Sequence, residues 1–143
     1  MQEPVYATVR YFQACQECDA QAEWWCVQQL VGDSLRGDVE SVCSTCGCGM
    51  ALCGGDLTAE LRERLLDGHG RARLQVTPPV KGAMIMRVLR AELGLDLANV
   101  KTVLQQVLAG EYSGTLPEVE LIARKLRAAG IDAVASFPQA RSR

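Results

Sequence analysis

Two Cys-x2-Cys pairs constrain this chain more than any other feature of its sequence. Cys15 and Cys18 form the first pair; Cys43 and Cys46, followed by Gly47, form the second after 24 intervening residues. Two residues between cysteines allow a tight turn to direct both sulfur atoms at one ion, and two such turns complete a tetrahedron. The glycine suits such a turn because it tolerates positive φ. We therefore predict that these four thiolates bind one zinc ion.

Three further cysteines lie outside the two pairs, and all seven fall before residue 54. An odd count fits poorly with a closed set of disulfides, and a reducing cytoplasm favours metal binding. Cys26, Cys48 and Cys53, together with His69, would supply four more ligands, enough for a second four-coordinate zinc ion. The sequence does not decide between one bound zinc ion and two, and it favours one. It also leaves open that Cys48 replaces Cys46 in the first site.

The charge is distributed unevenly along the chain. Residues 1–70 carry four Lys/Arg against eleven Asp/Glu, a balance of −7, whereas residues 71–143 carry eleven against six, a balance of +5. We predict two domains, 1–69 and 70–143. The acidic first half disfavours nucleic acid as a partner, because it would repel a phosphate backbone.

No apolar run approaches the roughly 20 residues that a membrane span needs. The opening MQEPVYATVR lacks the basic and then apolar order of a signal peptide. We therefore expect a cytoplasmic protein that does not insert into a membrane.

The first half alternates β-rich segments with the cysteine pairs. Strands are predicted over Val5–Phe12, Ala22–Val31 and Val39–Val42. Turns are predicted at Gly32-Asp33 and Gly37-Asp38. A short helix is predicted to open at Gly54–Asp56, with Asp56 or Thr58 as its cap, and to end at Gly68. Strands between paired cysteines resemble the zinc-ribbon family over residues 15–46. That resemblance implies a small β-rich domain held together by one metal ion.

The second half alternates helical periods with Gly and Pro. A strand is predicted over residues 71–77, helices over 81–93 and 97–108, and a short strand at Tyr112 within the loop 110–114. A third helix is predicted from a Thr115-x-x-Glu118 capping box to Gly130, and a last strand over 131–137. The order β-α-α-β-α-β in fewer than 70 residues predicts helices on one face of a small sheet. The whole chain is therefore expected to be α+β.

Residues 71–136 resemble the C-terminal domain of the bacterial ribosomal stalk protein (large-subunit protein seven/twelve). The resemblance rests on the run GAMIMRVLRAELGLDLANVKTVL, with its Leu-Gly-Leu-x-Leu helix junction, and on the later LRAAGIDAVAS. It implies a fold shared with the ClpS adaptor, in which the first two helices recruit translational GTPases. It also implies that Met86, Arg87, Arg90 and Lys101 contact an acidic protein partner.

Three functions follow from these features. The favoured one is a non-enzymatic, zinc-binding adaptor whose basic helical face engages an acidic protein, for example a translational GTPase. The first alternative is a nucleic-acid-binding zinc ribbon in which Trp24 and Trp25 stack on bases, although adjacent strand residues point to opposite faces. The second is a thiol-based redox protein. A reactive thiolate needs a nearby base or positive field, and the sole histidine, His69, is predicted to lie in a loop.

Overall fold

The computed structural model describes residues 5–137. The chain divides into two compact units, Met1–Gly70 and Arg71–Arg143. Each unit contains its own cluster of buried apolar side chains. The division falls where the acidic half of the sequence gives way to the basic half. Across the described residues, no helix combines the length and hydrophobicity needed to cross a membrane.

The first unit is an antiparallel sheet with one helix packed on it. Its strands pair in chain order: β1 (Val5–Ala14), β2 (Gln21–Val31), β3 (Ser34–Val42) and β4 (Gly49–Gly55). Helix α1 (Ala59–Gly68) contacts β1 and β2. Because consecutive strands are antiparallel neighbours, the β1–β2 and β3–β4 connections lie at the same end of the sheet. These two connections carry the two cysteine pairs.

The sheet buries one face against α1. Along β2, every second residue from Ala22 to Leu30 is buried, which is the period-2 pattern of a sheet with one covered face. Trp24 stacks on Tyr11 with ring centroids 6.2 Å apart. The guanidinium of Arg64 on α1 lies 4.1 Å from the Tyr11 ring centroid. Cation–π contact thus adds to apolar burial in fixing the helix on the sheet.

Two predictions for the first unit are wrong. The predicted turn at Gly37-Asp38 is a continuous strand with a bulge between Gly37 and Val39. A Cβ at Gly37 would lie 2.5 Å from Cδ2 of Leu57, so a close approach explains this glycine. The segment Gly54–Asp56 does not open a helix, because Gly54 and Gly55 end β4. Of the two predicted caps, Asp56 and Thr58, it is Thr58 that caps α1, by accepting a hydrogen bond from the Leu61 N–H, and the predicted end at Gly68 is confirmed.

The second unit packs three helices with a three-stranded antiparallel sheet. Its elements are β5 (Ala72–Val76), α2 (Gly82–Leu93), α3 (Leu97–Leu108), β6 (Ser113–Gly114), α4 (Leu116–Ala128) and β7 (Ala133–Ser136), with sheet order β6-β5-β7. The helix predictions are confirmed, and their end signals are those that the sequence indicates. Gly94 ends α2 with φ of 64°, Asp96 caps α3, and Thr115 and Glu118 form a capping box.

Candidate metal centre

The first cysteine pair lies in the turn between β1 and β2. The N–H of Cys15 donates to the carbonyl oxygen of Ala20 at 2.6 Å, and the Cys15 carbonyl accepts from the N–H of Asp19 at 2.9 Å. Asp19 has φ of 66°, the left-handed conformation that non-glycine residues seldom adopt. The turn is thereby closed on both sides of Cys18.

The second pair lies in a turn of the same construction between β3 and β4. The N–H of Cys43 donates to the carbonyl oxygen of Cys48 at 2.9 Å, and the Cys43 carbonyl accepts from the N–H of Gly47 at 2.8 Å. Gly47 has φ of 76°, as expected for its position after Cys46. The two turns are therefore equivalent residue for residue. The equal spacing of Asp19 and Gly47 from their cysteines is the sequence signal that could have identified Asp19.

The four predicted sulfur atoms converge on one point. The Sγ atoms of Cys15 and Cys46 lie 3.7 Å apart, those of Cys18 and Cys43 lie 3.6 Å apart, and all four lie within 4.8 Å of one another. A disulfide needs about 2.0 Å, so these thiols are free. A tetrahedron with metal–sulfur bonds of about 2.3 Å has sulfur–sulfur edges of about 3.8 Å. The four cysteines are thus spaced to hold a metal ion.

The two turns place their cysteines differently with respect to solvent. Cys15 and Cys43, the first cysteine of each turn, are buried, and Cys18 and Cys46, the second of each, are exposed. The buried pair belongs to the core of the sheet. One side of the sulfur cluster is therefore anchored in the unit, and the other side is open to water.

The electrostatics of the cluster favour a cation. The N–H groups of Cys46 and Thr45 hydrogen-bond the Cys43 sulfur and, against the effect of burial, lower the pKa of Cys43 to about 6. The Cys48 N–H acts in the same direction on Cys46, but burial and neighbouring thiols such as Cys18 outweigh it and raise the pKa of Cys46 to about 12. Without a metal, Cys43 is therefore the thiol of this pair that ionises more readily, and Cys46 the one that holds its proton more tightly. A bound cation stabilises thiolates and displaces such protons.

The other candidate ligands do not join a second site. Within residues 5–137, the four cysteines above form the only group of three or more His, Cys, Asp or Glu side chains placed to hold a metal ion. Cys26 is fully buried in the core, where burial and the charge of Asp38 raise its pKa to about 11. The Nδ1 atom of His69 accepts a hydrogen bond from the Thr8 N–H at 3.3 Å.

Cys48 and Cys53 also lie outside the cluster. The Cys48 sulfur lies 3.9 Å from the Gly49 carbonyl oxygen, and Cys53 is exposed on β4. Cys46, and not Cys48, is thus the cysteine of the second turn that is placed to hold a metal ion. The geometry corresponds to one four-sulfur site.

The predicted partner-binding residues divide into two groups. Met86, Arg87 and Arg90 line an open groove of about 690 Å³ on α2 and the α2–α3 junction. Both arginines are exposed and Met86 is half-buried. Lys101 is exposed on α3 but does not line this groove.

The two tryptophans lie on opposite faces of β2. Trp24 is 4% exposed in the core, and Trp25 is half-buried on the other face. They do not form a joint stacking platform.

Comparison with known proteins gives no match for this chain among family models, curated proteins or solved structures. The resemblance of the second unit to the ribosomal stalk domain stays a prediction based on its motifs.

Proposed function

We propose that the protein is a non-enzymatic zinc-binding adaptor. In this proposal, one structural zinc ion holds a zinc-ribbon-like first unit, and a stalk-like second unit binds an acidic protein through α2. The observation that carries the proposal is the convergence of four thiols, two from each of two equivalent turns, with sulfur atoms 3.6 and 3.7 Å apart. The same ligand set argues against catalysis at the metal, because four protein ligands leave no open position for substrate.

The donor set favours zinc among the metals of the cell. Four thiolates in a tetrahedron are typical of zinc or of iron–sulfur centres, and hard cations such as magnesium prefer oxygen ligands. Zinc is redox-inert and imposes no geometry of its own, which suits a site that joins two hairpins. The ion would connect the β1–β2 turn to the β3–β4 turn. A unit of about 70 residues has a limited core, so such a crosslink contributes to its folding.

The α2 groove supports the second part of the proposal. Its floor includes apolar side chains such as Met86 and Leu95, and Arg87 and Arg90 add two exposed positive charges. An apolar contact surface with charged residues at its border is the usual composition of a protein-binding site. The complementary charge of an acidic partner would accelerate association and fix its orientation. Translational GTPases are the class that the stalk resemblance implies.

The metal site is tested by a matched pair of cysteine variants. Cys18→Ser removes an exposed cluster cysteine, and Cys53→Ser removes an exposed cysteine of the same unit outside the cluster. We expect one zinc per chain by elemental analysis and native mass spectrometry in the natural chain and in Cys53→Ser. In Cys18→Ser, bound zinc should be absent, or the affinity for zinc should fall by orders of magnitude. A folded natural protein that binds no zinc would contradict the proposal, and a reactive thiol in it would favour redox chemistry.

The partner face is tested by charge reversal on the same unit. Arg87→Glu/Arg90→Glu should abolish binding to a purified bacterial translational GTPase in a direct titration. Arg71→Glu/Arg73→Glu makes the same change in net charge on or beside β5 and should leave binding unchanged. Circular dichroism of both variants should match that of the natural chain, which would show that they are folded. Equal binding by the two variants would remove the α2 groove from the proposal.

A further inference from the structure

The sheet of the first unit has an outer face that no helix of the unit covers. It consists of the side chains that alternate with the buried ones and point away from α1. Three large apolar residues on it are more than half exposed: Tyr6 at 58%, Phe12 at 54% and Val42 at 53%. Trp25 is half-buried on the same face, because it follows the buried Trp24 in β2. Aromatic and apolar side chains are thus exposed to solvent on the outer face of the strands whose turns carry the four cysteines.

One row across this outer face carries an unusual combination of side chains. Strand register aligns Arg10 of β1, Trp25 of β2, Glu40 of β3 and Ala51 of β4. Directly opposed residues in antiparallel strands have Cβ atoms about 4.5–5.5 Å apart. The indole ring of Trp25 and the carboxylate of Glu40 therefore belong to the same small area of the surface.

The charges on the outer face leave Glu40 without a counter-ion. Arg10 pairs with Glu23 at 3.0 Å, and Arg36 pairs with Asp38 at 3.3 Å. Among residues 5–137, Glu40 makes no ion pair. The uncompensated charge of the face is thus a single carboxylate next to a tryptophan, in a unit that is acidic as a whole.

A groove lies beside Glu40, lined by the paired strands β3 and β4. It has a volume of about 370 Å³ and no basic side chain in its lining, which consists of Glu40, Ser41, Val42, Gly49, Met50 and Ala51. The residues contributed by β4 include a glycine and an alanine, which leave the backbone of this edge strand accessible. A segment of a partner protein can therefore approach Glu40 along this groove.

We propose that Trp25 and Glu40 bind a Lys or Arg side chain presented by an extended, apolar segment of a partner protein. The cation would lie over the indole ring and pair with the carboxylate, while the apolar residues beside it contact Phe12 and Val42. The partner segment would lie on the outer face over β2 and β3, with the groove beside Glu40 along its side. A nucleic acid strand fits the aromatic surface but not its charge, because phosphates would meet the unpaired Glu40 and an acidic unit.

The test uses the full zinc-loaded chain and a defined peptide. The probe is the capped peptide Thr-Val-Arg-Val-Thr, compared with the same peptide containing citrulline, which is uncharged and nearly isosteric with arginine. Binding is followed by two-dimensional NMR at the Trp25 indole and at the amides of Val42 and Ala51. We expect saturable shifts with the arginine peptide and about threefold or greater weakening with citrulline.

Two variants with equal charge change distinguish the site from general electrostatics. Glu40→Gln should weaken the arginine peptide about threefold or more and leave the citrulline peptide unchanged. Asp67→Asn removes a negative charge from α1 of the same unit and should change neither. Equal affinity for the two peptides, or equal effects of the two variants, would overturn the proposal. Salt-dependent shifts of Trp25 with a single-stranded oligonucleotide and none with the arginine peptide would overturn it in favour of nucleic acid.

Discussion

Asp19 and Gly47 occupy equivalent positions in the two cysteine turns, each with a left-handed backbone, at φ of 66° and 76°. Each donates its N–H to the carbonyl of the first cysteine in its turn. Glycine adopts this conformation without penalty, whereas a side chain adds a cost that aspartate tolerates better than most. The first turn therefore stores strain that the second does not.

Exchanging residues at these positions should shift stability in opposite directions. Asp19→Gly should raise the free energy of unfolding of the metal-loaded protein by about 0.5–1 kcal/mol, and Gly47→Ala should lower it by about 1 kcal/mol. A Cβ at Gly47 meets no atom within 4 Å, so its cost comes from the backbone alone. Gly55→Ala is the control, since it has equal space and no positive φ. Urea denaturation measures all three variants, and an unstable Asp19→Gly would contradict the equivalence of the turns.

Close packing at Gly37 gives a second prediction. Gly37→Ala should lower the free energy of unfolding by about 1–3 kcal/mol, because its Cβ would lie 2.5 Å from Cδ2 of Leu57. In a Leu57→Ala background, the same substitution should cost much less. A double-mutant cycle in urea measures this coupling. Additive effects would show that contact with Leu57 is not the cause.

The Cys43 thiol gives a third prediction, on the metal-free protein. Its pKa is about 6 in the folded chain against 9.0 for the ordinary thiol. A depressed pKa contributes stability that is present above pH 9 and is lost as the pH falls through 6. The free energy of unfolding should therefore rise between these two pH values under chelating and reducing conditions. Cys43→Ser should flatten this rise, and ultraviolet thiolate absorbance should lose its step near pH 6. A pH profile unchanged by the substitution would assign the rise to another group.

The carboxylate of Glu120 gives a fourth prediction, in the second unit. It accepts from Nε of Arg124 at 2.9 Å and from an Nη of Arg127 at 2.8 Å, and Arg127 also donates to the Ala133 carbonyl at 2.7 Å. Arg124 is 7% exposed, so removing the charge of Glu120 weakens the electrostatic compensation of a buried cation. Glu120→Gln should lower the free energy of unfolding by about 2–3 kcal/mol in thermal or urea denaturation. Glu111→Gln is the control and should change the free energy of unfolding little. If the two variants lost equal stability, the effect of Glu120→Gln would not come from this ion-pair network.

Local signals in the sequence predicted much of both units. Two residues between cysteines define a turn by themselves, so the tetrad of sulfur ligands follows from spacing. Helix ends in the second unit carry residues that act on the adjacent backbone, such as Gly94, Asp96 and the capping box at Thr115. Such contacts join residues only a few positions apart, so the local sequence is enough to predict them.

Features that depend on strand register could not be predicted in the same way. Strand β4 reads GMALCGG and is largely exposed, so it has no alternating pattern. The bulge after Gly37 depends on the pairing of β3 with β4, and the close approach at Gly37 involves Leu57, which lies twenty positions later in the sequence. The placement of Cys26 in the core follows from alternation along β2, and Cys53 is exposed because β4 is exposed along most of its length. Lys101 does not line the groove that Arg87 lines. Which side chains share a groove depends on how the helices pack, and the sequence does not specify this.

Each hairpin of the first sheet carries half of the sulfur ligands at its own turn, on a single short connection. Either hairpin alone therefore offers a two-sulfur chelate that can capture an ion weakly before the sheet is complete. Tight retention requires β2 and β3 to come together, although neither cysteine pair lies at the turn that joins these two strands. Metal dissociation kinetics would thus report on the β2–β3 interface. A substitution at Gly32, at the opposite end of the sheet, would accelerate metal release without contacting a single sulfur atom.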